Sequence, residues 1–395
     1  MKKTVFRKVL ALIMVLSLIP CWGVSAWAGE GDPVSTNGTD PQPVTAGYVD
    51  VDVNSSSQSG AFASPINPGG SAEIIVNGPI DVTNSGGDAT GIQANAVQIG
   101  SEASVSAESV SAESTASGNT IAIGAEANAQ SPGPAEATVE VSGTVEASSA
   151  GDGATFGAYV RANSPADSVV TAEVSAGDVS ATSTGDANTT GVHTVTPPGS
   201  NANSTATADV GNVTAVSEGD GYAAGVFAAN NDGGHSEITA GDITAEANGD
   251  NYAVGVATRD LGGGSTTLEA GNVEATSAGA GASYGVYTRT SGDGSNSDIK
   301  DVGNVVATTT GSGTAEGIDV SVDLGGTAVV NAQDVEASAE GTGRAIGINA
   351  YGADGGTATV TVGKVEAEAE QNETFSAARG IVVHAYDGTV SVTAD

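Results

Sequence analysis

From about residue 71 onward the chain alternates apolar and polar residues in short runs, and the runs are broken at regular intervals. "SEITA" (236–240) alternates. "DITAEA" (242–247) places Ile243 and Ala245 on one side, and "YAVGVAT" (252–258) does the same with Val254, Val256 and Thr258. Gly241, "NGDN" (248–251) and "DLGGG" (260–264) punctuate the runs. Period-two alternation over five to seven residues predicts half-buried strands, and the Gly, Asn and Asp clusters between them predict turns.

The pattern repeats. A Gly-Asp/Asn-Val phrase, or a close relative, begins at Gly78, Glu108, Gly143, Gly177, Gly211, Gly241, Gly271, Gly303, Gln333 and Gly363, at spacings of 30 to 35 residues. A Gly-Val/Ile phrase follows 14 residues later, at Gly191, Gly225, Gly255, Gly285, Gly317 and Gly347. Three strands and three breaks per repeat describe one coil of a right-handed parallel β-helix, an all-β solenoid of about ten coils. Aligning the coils predicts inward columns: Val145, Val179, Val213, Ile243, Val273, Val305, Val335 and Val365; Ala147 through Ala367; and Val192, Val226, Val256, Val286, Ile318 and Ile348. Coils about 4.8 Å apart would give a rod roughly 48 Å long. A leucine-rich solenoid has a similar period, but Leu is scarce and no helical segment is apparent. An immunoglobulin-like sandwich would not place equivalent Val residues every 30 positions.

The ends differ in composition. Residues 1–28 carry Lys2, Lys3, Arg7 and Lys8, then an apolar run, then "SAWA", which reads as a secretory signal cut between Ala28 and Gly29. Cys21 follows Pro20, which disfavours lipidation. Residues 29–70 read as a Pro-, Ser- and Gly-rich linker in which "YVDVDV" (48–53) alternates and suggests a capping strand. The β-helix domain is then 71–395. "GTVSVTAD" (388–395) begins another coil, so the expectation is a sequence that continues, or an end that something else covers.

Losing the signal takes the net charge from −36 to −40 and removes the only Cys, both Trp and both Met. Disulfides and thiol chemistry are thereby excluded from the secreted chain. Its acidity argues against nucleic acid and anionic membranes, and no segment for membrane insertion remains. It is compatible with divalent cations.

Candidate chemistry lies in outward columns. Asp152, Asp186, Asp220 and Asp250 sit nine residues after their phrase starts, each preceded by Gly. Stacked carboxylates invite calcium bridging as a candidate metal site, although Gly-Asp is also good turn chemistry. A column of Asp178, Asn212, Asp242, Asn272, Asn304, Asp334 and Lys364, mostly a mixture of Asp and Asn, reads as structural. On the third strand, one outward column holds Tyr159, His193, Phe227, Ala257, Tyr287, Asp319 and Asn349, and the next holds Arg161, Val195, Ala229, Arg259, Arg289, Ser321 and Tyr351. Three of the five arginines left after the signal thus share one column. With bare Gly beside them they suggest a shallow strip where rings stack on sugars and guanidiniums bind carboxylates or sulfates. The competing reading is that rings and guanidiniums stabilise one another across strands, with Gly marking a bend. His193, His235 and His384 lie at different phases, and no catalytic triad or metal-ligand spacing can be drawn.

The phrases "GDVSATSTGD", "GNVTAVSEGDGYAAGV" and "GNVEATSAG" resemble the repetitive β-helical passenger regions of bacterial surface adhesins and autotransporter-like proteins. The resemblance implies a secreted or wall-associated protein that binds a glycan or surface polymer, with no catalytic residues. The autotransporter's membrane barrel has no counterpart in the sequence, which looks more like export from a Gram-positive cell. A non-binding rod displaying a further domain is the alternative. A polysaccharide-degrading β-helix enzyme is a lesser one, since "GHS" (234–236) is the nearest fragment to the hydrolases' Gly-His-Gly phrase. An ice-binding surface would want a regular Thr-x-Thr column, and Thr is scattered.

Overall fold

The computed structural model describes residues 33–37, 43–65, 67–129, 133–164, 168–370 and 377–395. The signal segment expected at residues 1–28 lies outside them. The described chain is all-β: three parallel sheets of 12, 11 and 12 strands, each sheet collecting one strand from every coil. One coil shows the path. His235–Ala240 enters the first sheet, Ile243–Ala247 the second and Ala253–Leu261 the third, and Ser265–Ala270 returns to the first one coil further on. The fold is a parallel β-solenoid.

Register follows the repeat. Val145, Val179, Val213, Ile243, Val273, Val305, Val335 and Val365 pair in succession, as do the Ala residues two positions on. All but the last member of each column are buried. Parallel strands need crossover connections, and the other two sides of each coil supply them. Val and Ile, stiff at χ1, fill the pleats, and Ala occupies places where the tube is too narrow for more.

The sheets also reach into the segment expected to be a linker. "YVDVDV" supplies the strand Val49–Val53, with Val49 opposite Ile80 and Val51 opposite Val82. Val34–Thr36, Val44–Ala46 and Ser57–Ala63 pair into the other two sheets. Each sheet therefore has more strands than the ten phrases suggest.

The Gly of the third strand is not bare outward backbone. A Cβ on Gly157, Gly191, Gly225, Gly255, Gly285 or Gly317 would lie 2.6–2.7 Å from the carbonyl oxygen of the next coil's equivalent Gly. It would also press into a core Val or Ile of the second sheet. Gly and the following residue both turn inward, so alternation breaks there. Outward residues then stand three apart, as in Phe156 and Tyr159, Tyr284 and Tyr287, or Glu316 and Asp319. A period-two reading misses the first of each pair.

Two turns are held by side-chain ladders. In the phrase column, Asp178 Oδ1 accepts the Asn212 amide (2.8 Å), Asn212 Oδ1 accepts that of Asp242 (3.0 Å), and Asp242 Oδ1 that of Asn272 (2.8 Å). This explains why the position takes Asp or Asn alike: either supplies the oxygen.

One inner corner is polar. Thr196, Asn230, Asp260 and Thr290 stand in register, all buried. Asp260 Oδ1 accepts from Asn230 Nδ2 (2.9 Å) and Thr266 Oγ1 (2.8 Å), and Oδ2 accepts from the Ser297 hydroxyl. Burial pushes its carboxyl up to about 6 although these hydrogen bonds favour the ionised form.

Candidate functional site

The Asp column is the simpler of the two candidate regions. Asp152, Asp186, Asp220 and Asp250 are all exposed. Asp186 Oδ1 accepts the Asp220 amide (3.1 Å), Asp220 Oδ1 the Asp250 amide (3.5 Å), and Asp250 Oδ1 the Ala280 amide (3.2 Å). Three of the four carboxylates thus serve the backbone of the next coil, as in the phrase column. Among the described residues no group of three or more His, Cys, Asp or Glu is placed to hold a metal ion.

The third-strand face is more varied. Its expected residues fall into two groups. Tyr159, His193 and Phe227 pair in register and pack on one another with Phe156. Ring centroids are 5.6 Å apart for Phe156–Tyr159, 5.4 Å for Tyr159–His193 and 5.1 Å for His193–Phe227, the last two edge to face. Desolvation lowers the His193 pKa to about 4, and its buried Nδ1 has no hydrogen-bond partner. This end is a closed aromatic ladder. Burial first, then Glu126, raises the Tyr159 pKa, and Arg161 opposes them through charge and a hydrogen bond.

Further along, the ladder opens. On Phe227's own coil and the next, outward positions around the inward Gly are small: Ala224, Val254 and Ala257, 0–4% exposed. Around this floor stand Tyr222, Phe227, Tyr252, Tyr284 and Tyr287, enclosing a hollow of about 300 Å³. Tyr222 and Tyr252 stack face to face (5.1 Å, 5°). Tyr284 and Tyr287 meet edge to face (5.4 Å, 62°). The hollow exists because small side chains interrupt a row of rings.

Charge flanks it on two sides. Arg259 and Arg289 pair in register, two residues beyond Ala257 and Tyr287. Both are exposed, and among the described residues neither makes an ion pair. In the coil beyond, Glu316 is in register with Tyr284 and Asp319 with Tyr287. Glu316 Oε2 accepts from Asn349 Nδ2 (3.2 Å). Burial, then Glu316, raises the Asp319 pKa to about 7. Burial raises Glu316 against the Asn349 hydrogen bond. Burial, followed by these two carboxyls and neighbouring tyrosines, pushes Tyr284 up to about 12.

Of the expected ligand residues, the structure brings Phe227 and Tyr287 to the hollow and sets Arg259 and Arg289 beside it. Tyr159, Arg161 and His193 lie up the ladder. Tyr222, Tyr252 and Tyr284 were missed: the first two stand at the turn before the strand, and the third lies beyond the break in alternation. The cluster of Tyr residues at 222, 252, 284 and 287, in a chain with 8 in all, was the available signal.

The geometry defines the class: a parallel β-solenoid with an aromatic hollow on one outer face. Comparison of the chain with protein-family models, curated proteins and solved structures finds no match.

Proposed function

We propose that this is a secreted or cell-surface, adhesin-like binding protein whose solenoid presents a ligand face on its third sheet. The target is a glycan or surface polymer, and the fold acts as a rigid support without catalysis. The hollow carries this reading. Five rings around a floor of small residues leave apolar ring surface uncovered, where the coils before it pack ring on ring. Exposed rings stack on the apolar faces of sugars, and the free Arg259 and Arg289 beside them can hold an anionic substituent. Concave apolar sites with a few polar groups at the edge are where ligands bind.

The test is a glycan array probed with the secreted chain and with a variant carrying Tyr252→Ala, Tyr287→Ala and Arg289→Ala. Binding by the parent that the variant loses, with both folded by circular dichroism, is the expected result. A folded parent that binds no glycan or surface polymer would leave the non-binding rod as the better reading.

A further inference from the structure

The structure points to a ligand class for the hollow. We propose that the rings of Tyr222, Phe227, Tyr252, Tyr284 and Tyr287 form an aromatic cage for an organic ammonium group, carried by the glycan or polymer that the third-strand face binds. This rests on the reading that the face is a binding face.

Three observations favour an ammonium over an uncharged sugar ring. First, the lining is rings, Val254 and Ala257. A sugar buried there would lose the hydration of its hydroxyls and find only phenol groups in return. An alkylated ammonium asks for no such partners and is attracted by ring faces. Second, the wall formed by Tyr284 and Tyr287 is backed one coil on by Glu316 and Asp319, in register with them. Among the described residues no cation pairs with either carboxyl, although both are half-buried. Two such groups side by side are destabilised until positive charge arrives. Third, the chain carries a net charge of −36, so its field draws cations toward the surface.

Arg259 and Arg289 oppose this only at the edge. They are exposed and absent from the lining, so their guanidiniums can turn to solvent or to an anion elsewhere on the same ligand. Positive charge is therefore missing from the hollow itself, while negative charge stands directly behind one wall.

The experiment compares choline with 3,3-dimethyl-1-butanol, its uncharged carbon isostere, by calorimetric titration of the secreted chain at pH 8. Tyrosine fluorescence serves as a second readout. The expected result is at least a tenfold preference for choline. Tyr252→Ala should weaken both ligands. The double variant Glu316→Gln, Asp319→Asn should bring choline down toward the isostere while leaving the isostere unchanged. Equal binding of the two compounds, choline binding untouched by either variant, or no choline binding at all would overturn the inference. If choline fails while the array still shows glycan binding that Tyr252→Ala abolishes, the ammonium is wrong and the binding face stands. If both fail, the binding reading falls with it.

Discussion

The Asp turn and the third-strand face look alike in the sequence: each is a column of repeated chemistry-bearing residues. In the structure they part. In the turn, carboxylates accept amide hydrogens from the next coil, so the repetition is itself the explanation. On the third-strand face, the ladder from Phe156 to Phe227 closes in the same self-sufficient way. Then Ala224, Val254 and Ala257 break it and open the hollow. In a solenoid, a column that repeats is satisfied by its own neighbours. A ligand site is better sought where the column departs from its repeat.

The largest effects should come from the most regular positions. Ile243→Ala removes a fully buried side chain from the Val/Ile column, where neighbouring coils are pinned by hydrogen bonds and cannot close the gap. A loss of about 2–5 kcal/mol is expected in urea unfolding. A loss under about 1 kcal/mol would mean that the columns are softer than their register implies.

Asp260 is the buried exception. Its raised pKa means that the native state holds the proton more tightly than the unfolded chain. Stability is then full below the unfolded value of 3.8 and falls as pH rises through about 6. The shift corresponds to a loss of about 3 kcal/mol across that window. Unfolding measured from pH 3.5 to 8 should show the decline, and Asp260→Asn should flatten it. Asp319→Asn should separately remove the part that extends toward pH 7. An unchanged slope in both variants would place the pH dependence elsewhere.

The turn ladder gives a smaller and more diagnostic effect. Asp220→Ala deletes the acceptor for the Asp250 amide and should cost about 1 kcal/mol, whereas Asp220→Asn, which keeps an oxygen, should be nearly neutral. Thermal melting of parent and variant with and without millimolar calcium separates ladder from metal site. Unchanged midpoints support the ladder, and a rise of several degrees that Asp220→Asn abolishes would revive the cation.

Most of the fold was legible because one phrase, repeated, fixes register: Val213, Ile243 and Val273 must stack if Gly211, Gly241 and Gly271 do. The N-terminal coils were harder to see because Pro and Ser dominate around the single clear strand at Val49–Val53. The site was half legible. Phe227 and Tyr287 obeyed the period-two phase. Tyr284 did not, because Gly285 and Val286 both turn inward and reset it. Asp319 kept the phase of Tyr287, whereas Glu316 and the polar corner at Asp260 were hidden for the same reason as Tyr284: each is a departure from the repeat, which alignment of coils averages away.

The smallest effect on stability should fall on the exposed arginines, which makes them the sharpest test of the contrast. Arg259 and Arg289 are exposed, make no ion pair among the described residues, and stand in register with each other as like charges. If the face is only structural, replacing them costs stability through lost contacts with the neighbouring rings and removes no binding of its own. If it binds, Arg259→Ala with Arg289→Ala should leave unfolding within about 0.5 kcal/mol of the parent, or slightly improve it by relieving their repulsion. The same pair should reduce binding to any glycan bearing a carboxylate or sulfate by about tenfold or more, as expected for losing a charge-assisted hydrogen bond of roughly 1.5–3 kcal/mol. Tyr222→Ala supplies the control at the opposite edge. It removes the stack with Tyr252, costing about 1 kcal/mol beyond the lost area, and should weaken charged and uncharged ligands alike. Stability and binding that fall together in both variants would mean that the face merely holds the coils. Binding lost at constant stability in the arginine pair is an outcome that a structural column cannot produce.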